Sequence, residues 1–216
     1  MALGSLDKRN ANTLVVLDFE TTGLSPNMGD RAIEIGAVLV ENGRITDRFQ
    51  QLMNPGFRIS GFIESYTGIT NAMVSGAESG ALVMKDFAEF IRGHNLVAHN
   101  AAFDQKFLDA EMSAARARYD GSFACSMLIA RRLYQDAPNH QLGTLVKYNR
   151  LPTEGVFHRA LADAEMTGHL WLKMLDDLKY KHQVSDVSFG LMKTLSRTAK
   201  SGVGSFLLRQ RLDSRI

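Results

Sequence analysis

The chain reads as an α/β protein in which a mixed five-stranded sheet is covered by helices. The segment Leu14-Val15-Val16-Leu17 is apolar without interruption, as in a strand buried on both faces. Two further strand-like segments are joined by Asn42-Gly43, the dipeptide favoured in two-residue hairpins, so the first half is an antiparallel meander. Beyond residue 80, helical stripes alternate with two short apolar segments, which places the remaining strands between helices that cover the sheet.

Taken in order, residues 13–19, 32–41 and 44–53 are predicted as the first three strands. After Asn54-Pro55-Gly56 come short helices over 61–67 and 71–75, with Thr67-Gly68-Ile69-Thr70 as the break between them. Leu82, Val83, Phe87, Phe90 and Ile91 form a stripe that predicts a helix over 81–92, ending toward Gly93. Leu96-Val97-Ala98 is the fourth strand. Asn100 is suited to cap a helix over 101–116 whose core face carries Phe103, Phe107, Ala110 and Ala114. The fifth strand falls at 123–125, followed by helices near 126–134 and 142–148 and a long one over 159–179. Val187, Leu191 and Leu195 lie at helical spacing, and Ser201-Gly202-Val203-Gly204-Ser205 is expected to interrupt that pattern.

A chain of 216 residues with 45% hydrophobic content can bury one substantial core. Residues 1–180 are expected to form one domain, and 181–216 a basic, partly helical C-terminal extension. The one cysteine, Cys125, excludes an internal disulfide framework and a cysteine-rich zinc site. No apolar run approaches the ~20 residues that span a bilayer, and the first dozen residues lack the pattern of a secretory signal. A cytoplasmic protein with no membrane partner is expected. The net charge of +2 is uneven: from Lys179 onward eight basic residues face two acidic ones, a local charge of +6 on a body carrying −4. Such a basic stretch suits a nucleic-acid backbone.

The chemistry concentrates in three motifs. In Asp18-Phe19-Glu20-Thr21-Thr22-Gly23 the two acids project to the same side of a strand and address one site beyond its end, while Gly23 permits close approach of a ligand. In His99-Asn100-Ala101-Ala102-Phe103-Asp104 the aspartate falls in the first turn of a helix. In His158-Arg159-Ala160-Leu161-Ala162-Asp163 a histidine precedes a helix that fixes the aspartate. Its imidazole, with a reference pKa of about 6.5, is neutral near physiological pH and able to accept a proton from water. Carboxylates gathered in this way repel one another unless cations lie between them. The set therefore points to Mg²⁺ or Mn²⁺ and to an anionic, phosphodiester substrate.

Together with Ile33-Glu34-Ile35-Gly36-Ala37 and Thr67-Gly68-Ile69-Thr70, these segments resemble, in order, the motifs of the DnaQ-like 3′-to-5′ exonucleases of the DEDDh class; the resemblance covers about residues 13–179. It implies a ribonuclease H-like fold and two divalent ions. The four acids that serve as both catalytic and metal-binding residues carry over to Asp18, Glu20, Asp104 and Asp163, with His158 as general base. The resemblance also places Thr21, Thr22, Leu24, Ile69, His99 and Phe103 around the terminal nucleotide.

The implied activity is removal of nucleoside 5′-monophosphates from single-stranded 3′ ends, in DNA proofreading or repair of the kind carried out by the epsilon subunit of bacterial DNA polymerase III, with a polymerase as a further partner. RNA trimming of ribonuclease T or oligoribonuclease type is the alternative. A nucleic-acid-binding module without catalysis is a reading of a different class. Retention of all five reactive positions argues against it.

Overall fold

The computed structural model describes residues 6–152 and 159–213. Five strands form one sheet in the order β3-β2-β1-β4-β5. They are β1 (Leu14–Thr21), β2 (Ala32–Glu41), β3 (Arg44–Leu52), β4 (Leu96–Ala98) and β5 (Phe123–Cys125). The β1–β2 and β2–β3 pairs are antiparallel; β1–β4 and β4–β5 are parallel. This is the expected mixed sheet, and its hairpin turns at Asn42 and Gly43, whose φ values of 50° and 78° fit the left-handed geometry of a two-residue turn.

Both faces of β1 are buried, which explains its unbroken apolar run. Leu14 and Val16 join one cluster, with Val38, Trp171 and Met174; Val15, Leu17 and Phe19 join the other, with Phe87, Phe107 and Leu108. Helix α1 (Gly61–Thr67) and helix α2 (Asn71–Ser75) follow the meander; α1 stops at Gly68, whose φ of 72° supplies the expected break. Helices α3 (Gly80–Phe90) and α4 (Ala102–Ala114) contribute Phe87 and Phe107 to the second cluster. Then come α5 (Ser126–Leu133), α6 (Leu142–Tyr148) and the 21-residue α7 (Ala160–Tyr180), which lies on β1 and β2.

Several local expectations are corrected. Strand β1 runs on to Thr21 because its last residues still pair with β2, stepping from Glu20↔Glu34 to Thr21↔Ala32 and skipping Ile33. Asn100 does not cap α4; it takes a φ of 68°, and Ala101 occupies the cap position without a side-chain bond. The cap of α3 is Ile91 rather than Gly93.

The C-terminal residues form α8 (Phe189–Arg197), a 3₁₀ turn (Lys200–Gly202) and α9 (Val203–Asp213), so the glycines at 202 and 204 do not end helical structure. Val184, Val187, Phe189, Met192, Leu195, Val203, Phe206 and Leu207 are buried in the same cluster as Trp171. The Trp171 and Phe189 rings stand 6.0 Å apart, and Trp171 Nε1 donates to the Ala11 carbonyl at 2.8 Å. Burial of apolar area here outweighs the local glycine cost. Among the described residues, no helix is long and apolar enough to cross a membrane.

Candidate active site

The site forms at the carboxyl end of β1, where the sheet's parallel and antiparallel halves meet; ligands of α/β sheets bind beyond such strand ends. Asp18 and Glu20 alternate with Phe19 and so face α7, while Phe19 packs on the opposite side. Helix α7 brings Asp163 to the same place. One carboxylate oxygen from each of Asp18, Glu20 and Asp163 lies within 4.8 Å of the others. Asp104 reaches the site from α4: it is buried, and its Oδ1 accepts the Phe19 backbone N–H at 3.2 Å, directly between the two β1 acids.

These carboxylates oppose one another electrostatically. Burial first, then repulsion from Asp104, Asp163, Glu20 and Glu34, holds Asp18 well above the usual carboxylate range. Burial and the charges of Asp163 and Glu34 push Glu20 up to about 8, against a partial offset from Arg159. Asp104 is likewise pushed up to about 8, chiefly by burial, despite the hydrogen bond from Phe19. An all-oxygen donor set that resists full ionisation by itself fits hard divalent cations, which favour the charged forms.

A cavity of about 730 Å³ opens over Asp18, Glu20 and Asp163. One wall is the loop after β1. Thr21 Oγ1 donates to the Gly23 carbonyl at 2.6 Å, and Thr22 exchanges bonds with Arg31, its N–H donating to the Arg31 carbonyl at 2.9 Å and its Oγ1 accepting the Arg31 N–H at 3.0 Å. A Cβ at Gly23 would overlap the Asp30 carboxylate, so glycine permits this tight fold. Leu24 projects into solvent at the rim, and its carbonyl accepts from Lys106 Nζ at 2.6 Å. Phe103 also lines the cavity, with its ring 5.1 Å from that of Phe107.

His99 also lines the cavity, but its ring nitrogens are both engaged. Nε2 donates to the His140 carbonyl at 2.9 Å and Nδ1 accepts from Ser126 Oγ at 2.9 Å. Burial lowers its pKa to about 4, so the ring is neutral.

The structure therefore gathers Asp18, Glu20, Thr21, Thr22, Leu24, His99, Phe103 and Asp163 around one cavity, with Asp104 behind its floor. Ile69 is not among them. It is 0% exposed and packs with Ile33, Ile59, Ile63 and Val74, because the chain turns inward after Gly68 and carries this side chain into a small core. From that part of the chain, Phe62, Ile63, Tyr66 and Thr67 of α1 reach the cavity instead. Phe62 and Tyr66 are 73% and 52% exposed, and their rings stack at 5.9 Å with a 10° interplanar angle. Their i, i+4 spacing was the available signal. His158 lies outside the described residues.

A second feature missed in the sequence is Glu34. It accepts from Arg159 Nη2 at 2.7 Å, from the Ala160 N–H at 3.1 Å and from Gln50 Nε2 at 2.9 Å. Its segment, Ile33-Glu34-Ile35-Gly36-Ala37, stands among the resembling motifs, and an acid within an otherwise apolar strand was a further hint, but neither assigns Glu34 a role.

Residues 15–170 match the family model described as Exonuclease. The chain is 33% identical over 175 residues to DNA polymerase III subunit epsilon of Aquifex aeolicus, covering 81% of this chain and 86% of that protein. It is 40% identical over 165 residues to DNA polymerase III PolC-type of Caldanaerobacter subterraneus subsp. tengcongensis; the match covers 76% of this chain but spans only 12% of that polymerase. Among solved structures, exonuclease X in complex with 5′ overhanging duplex DNA is similar, with a TM-score of 0.66, 27% identity, and coverage of 85% of this chain and 99% of that one. The chain belongs to the DnaQ-like (DEDDh) family, divalent-metal-dependent 3′-to-5′ exonucleases of ribonuclease H-like fold.

Proposed function

We propose that this chain removes nucleotides one at a time from single-stranded 3′ ends, releasing nucleoside 5′-monophosphates, and that DNA in a proofreading or repair setting is its substrate. The observation that carries the reading is the convergence of Asp18, Glu20 and Asp163 on the floor of a cavity rimmed by aromatic side chains. The DNA setting is supported by those relatives that are DNA polymerase III proteins and by the similarity to a DNA-bound exonuclease. A polymerase is the corresponding partner.

Asp18, Glu20 and Asp163, together with Asp104, would hold two Mg²⁺ or Mn²⁺ ions. When bound, such ions stabilise charge on the attacking and leaving oxygens of an in-line displacement. The protein's own groups do the rest. The Thr21-Thr22-Gly23 loop, held by its bonds to Arg31, offers a rigid wall against the terminal nucleotide. Phe62 and Tyr66 present flat apolar surface at the cavity, on which bases of any identity stack. Neutral His99, fixed by Ser126 and His140, shapes the wall without titrating near pH 7. His158, one residue before Arg159, is assigned the general-base role, taking a proton from the attacking water.

The test is a time course with Mg²⁺ and matched 3′-labelled single-stranded DNA, duplex DNA and RNA. Stepwise mononucleotide release from single-stranded DNA in preference to the others is the expected result. Preferential trimming of the RNA would replace the DNA assignment, and the absence of mononucleotide release from all three would reject the reading.

A further inference from the structure

We infer that Glu34 and Arg159 form a positioning device that sets Asp163 against Asp18 and Glu20. This inference rests on the exonuclease reading above. Glu34 stands directly opposite Glu20 in the β1–β2 pair, with its side chain on the same face of the sheet. Like charges at such positions are destabilising, and Glu34 is 0% exposed, so an acid there needs an offsetting role.

Its bonds supply one. The first turn of a helix leaves N–H groups without internal partners, and Arg159, at the cap position of α7, makes no side-chain capping bond. Glu34 provides the missing acceptor from another element: Oε2 takes the N–H of Ala160, the first residue of α7, at 3.1 Å. The Arg159 guanidinium then grips both oxygens of Glu34, with Nη2–Oε1 at 2.7 Å and Nε–Oε2 at 3.1 Å. Gln50 Nε2 donates to Oε1 at 2.9 Å, so four donor groups, from β3 and from the start of α7, converge on one carboxylate of β2.

The consequence passes directly to the site. The Asp163 N–H donates to the Arg159 carbonyl at 3.2 Å, so the residue held by Glu34 begins the turn that carries Asp163. The backbone of α7 also rests on β2 at Gly36, where a Cβ would collide with Leu161. That steric contact fixes how close the helix comes. The directional bonds to Glu34 fix its rotation and axial register, on which the placement of the Asp163 carboxylate depends.

The variants Arg159→Met, Arg159→Lys and the double variant Glu34→Leu/Arg159→Met test this against a merely structural ion pair. Replacing both partners of a buried pair by apolar residues commonly restores stability, so the double variant is expected to recover the melting temperature lost in Arg159→Met. If Glu34 and Arg159 position Asp163, both variants should bind Mn²⁺, measured by calorimetry on the folded protein, about 10-fold more weakly than wild type, in line with the effect of losing groups that orient metal ligands. kcat on a 3′-labelled oligonucleotide should fall by a similar factor with KM little changed, and Arg159→Lys should restore part of both.

Wild-type Mn²⁺ affinity and kcat in Arg159→Met, or their return along with the melting temperature in the double variant, would overturn the inference. Should the wild-type protein trim no 3′ end, the exonuclease reading fails. The calorimetric comparison still decides the positioning role.

Discussion

The backbone N–H of Phe19 donates to Asp104 Oδ1 at 3.2 Å, so the residue between the two β1 acids is itself tied to the acid on α4. This bond joins β1 to α4, whose Phe107 and Leu108 pack in the same apolar cluster as Phe19. It gives Asp104 a fixed orientation without a basic partner, and burial then keeps its proton affinity high. Asp104→Asn, whose amide oxygen preserves the acceptor, should retain the fold and lose most activity. Asp104→Leu should lose stability as well, by about 1–3 kcal/mol for the buried N–H left unpaired. Thermal denaturation beside a trimming assay separates the two.

The raised carboxylates make a pH prediction. Glu20 and Asp104, with folded-state pKa values of about 8, hold protons that the unfolded chain has released. Their stabilising contribution is full below the unfolded values and is lost as pH rises through about 8. His99 acts oppositely, with its pKa lowered from 6.5 to about 4, but its contribution is complete above 6.5. Between pH 6.5 and about 8, protein stripped of divalent ions should therefore lose stability with rising pH, and excess Mg²⁺ should flatten that slope. Melting temperatures measured with and without chelator check it; a flat profile in both contradicts the repulsion argument.

The aromatic pair on α1 carries a separate expectation. Stacking of a base on an aromatic side chain contributes about 1–3 kcal/mol, so Phe62→Ala or Tyr66→Ala should raise KM for a single-stranded oligonucleotide by about tenfold with kcat little changed. Steady-state kinetics on an oligonucleotide and on a mononucleotide ester distinguish stacking from a general loss of activity, since the ester has no second base to lose.

How much of this was legible in the sequence depends on how local each cause is. The continuous run from Leu14 to Leu17 and the Asn42-Gly43 turn carry their structure in adjacent residues, and both were read correctly. The Asp18-x-Glu20 alternation was legible for the same reason. The pairing of Glu34 with Arg159 was not, although the segment around Glu34 was singled out, because the two lie 125 residues apart and nothing in Ile33-Glu34-Ile35 reports the partner. The glycines at 202 and 204 signal a break in the helical pattern, but that a second helix resumes at Val203 is not legible locally, because the burial of Val203, Phe206 and Leu207 that supports it is tertiary. Ile69 shows the converse error: its position in a familiar motif suggested a nucleotide contact, while the turn at Gly68 directs it into the core.

That same C-terminal packing decides how the basic region should be tested. Deleting residues from Val184 onward would strip apolar side chains from the main core, so neutralising the exposed cations Arg197, Lys200 and Arg209 is the cleaner change. If they contact the phosphate backbone, the slope of log binding constant against log salt for single-stranded DNA should fall by about 0.7 for each contact removed. An unchanged slope in the triple variant excludes that role.

The most direct test of the whole account follows a 5′-labelled single-stranded oligonucleotide incubated with Mg²⁺ and either wild-type protein or Asp18→Ala. Asp18 is the residue on which the other acids converge electrostatically. Wild type should give a ladder shortening one nucleotide at a time from the 3′ end, and the folded variant should leave the oligonucleotide at full length. Equal shortening by the variant, or internal cleavage by wild type, would contradict the account.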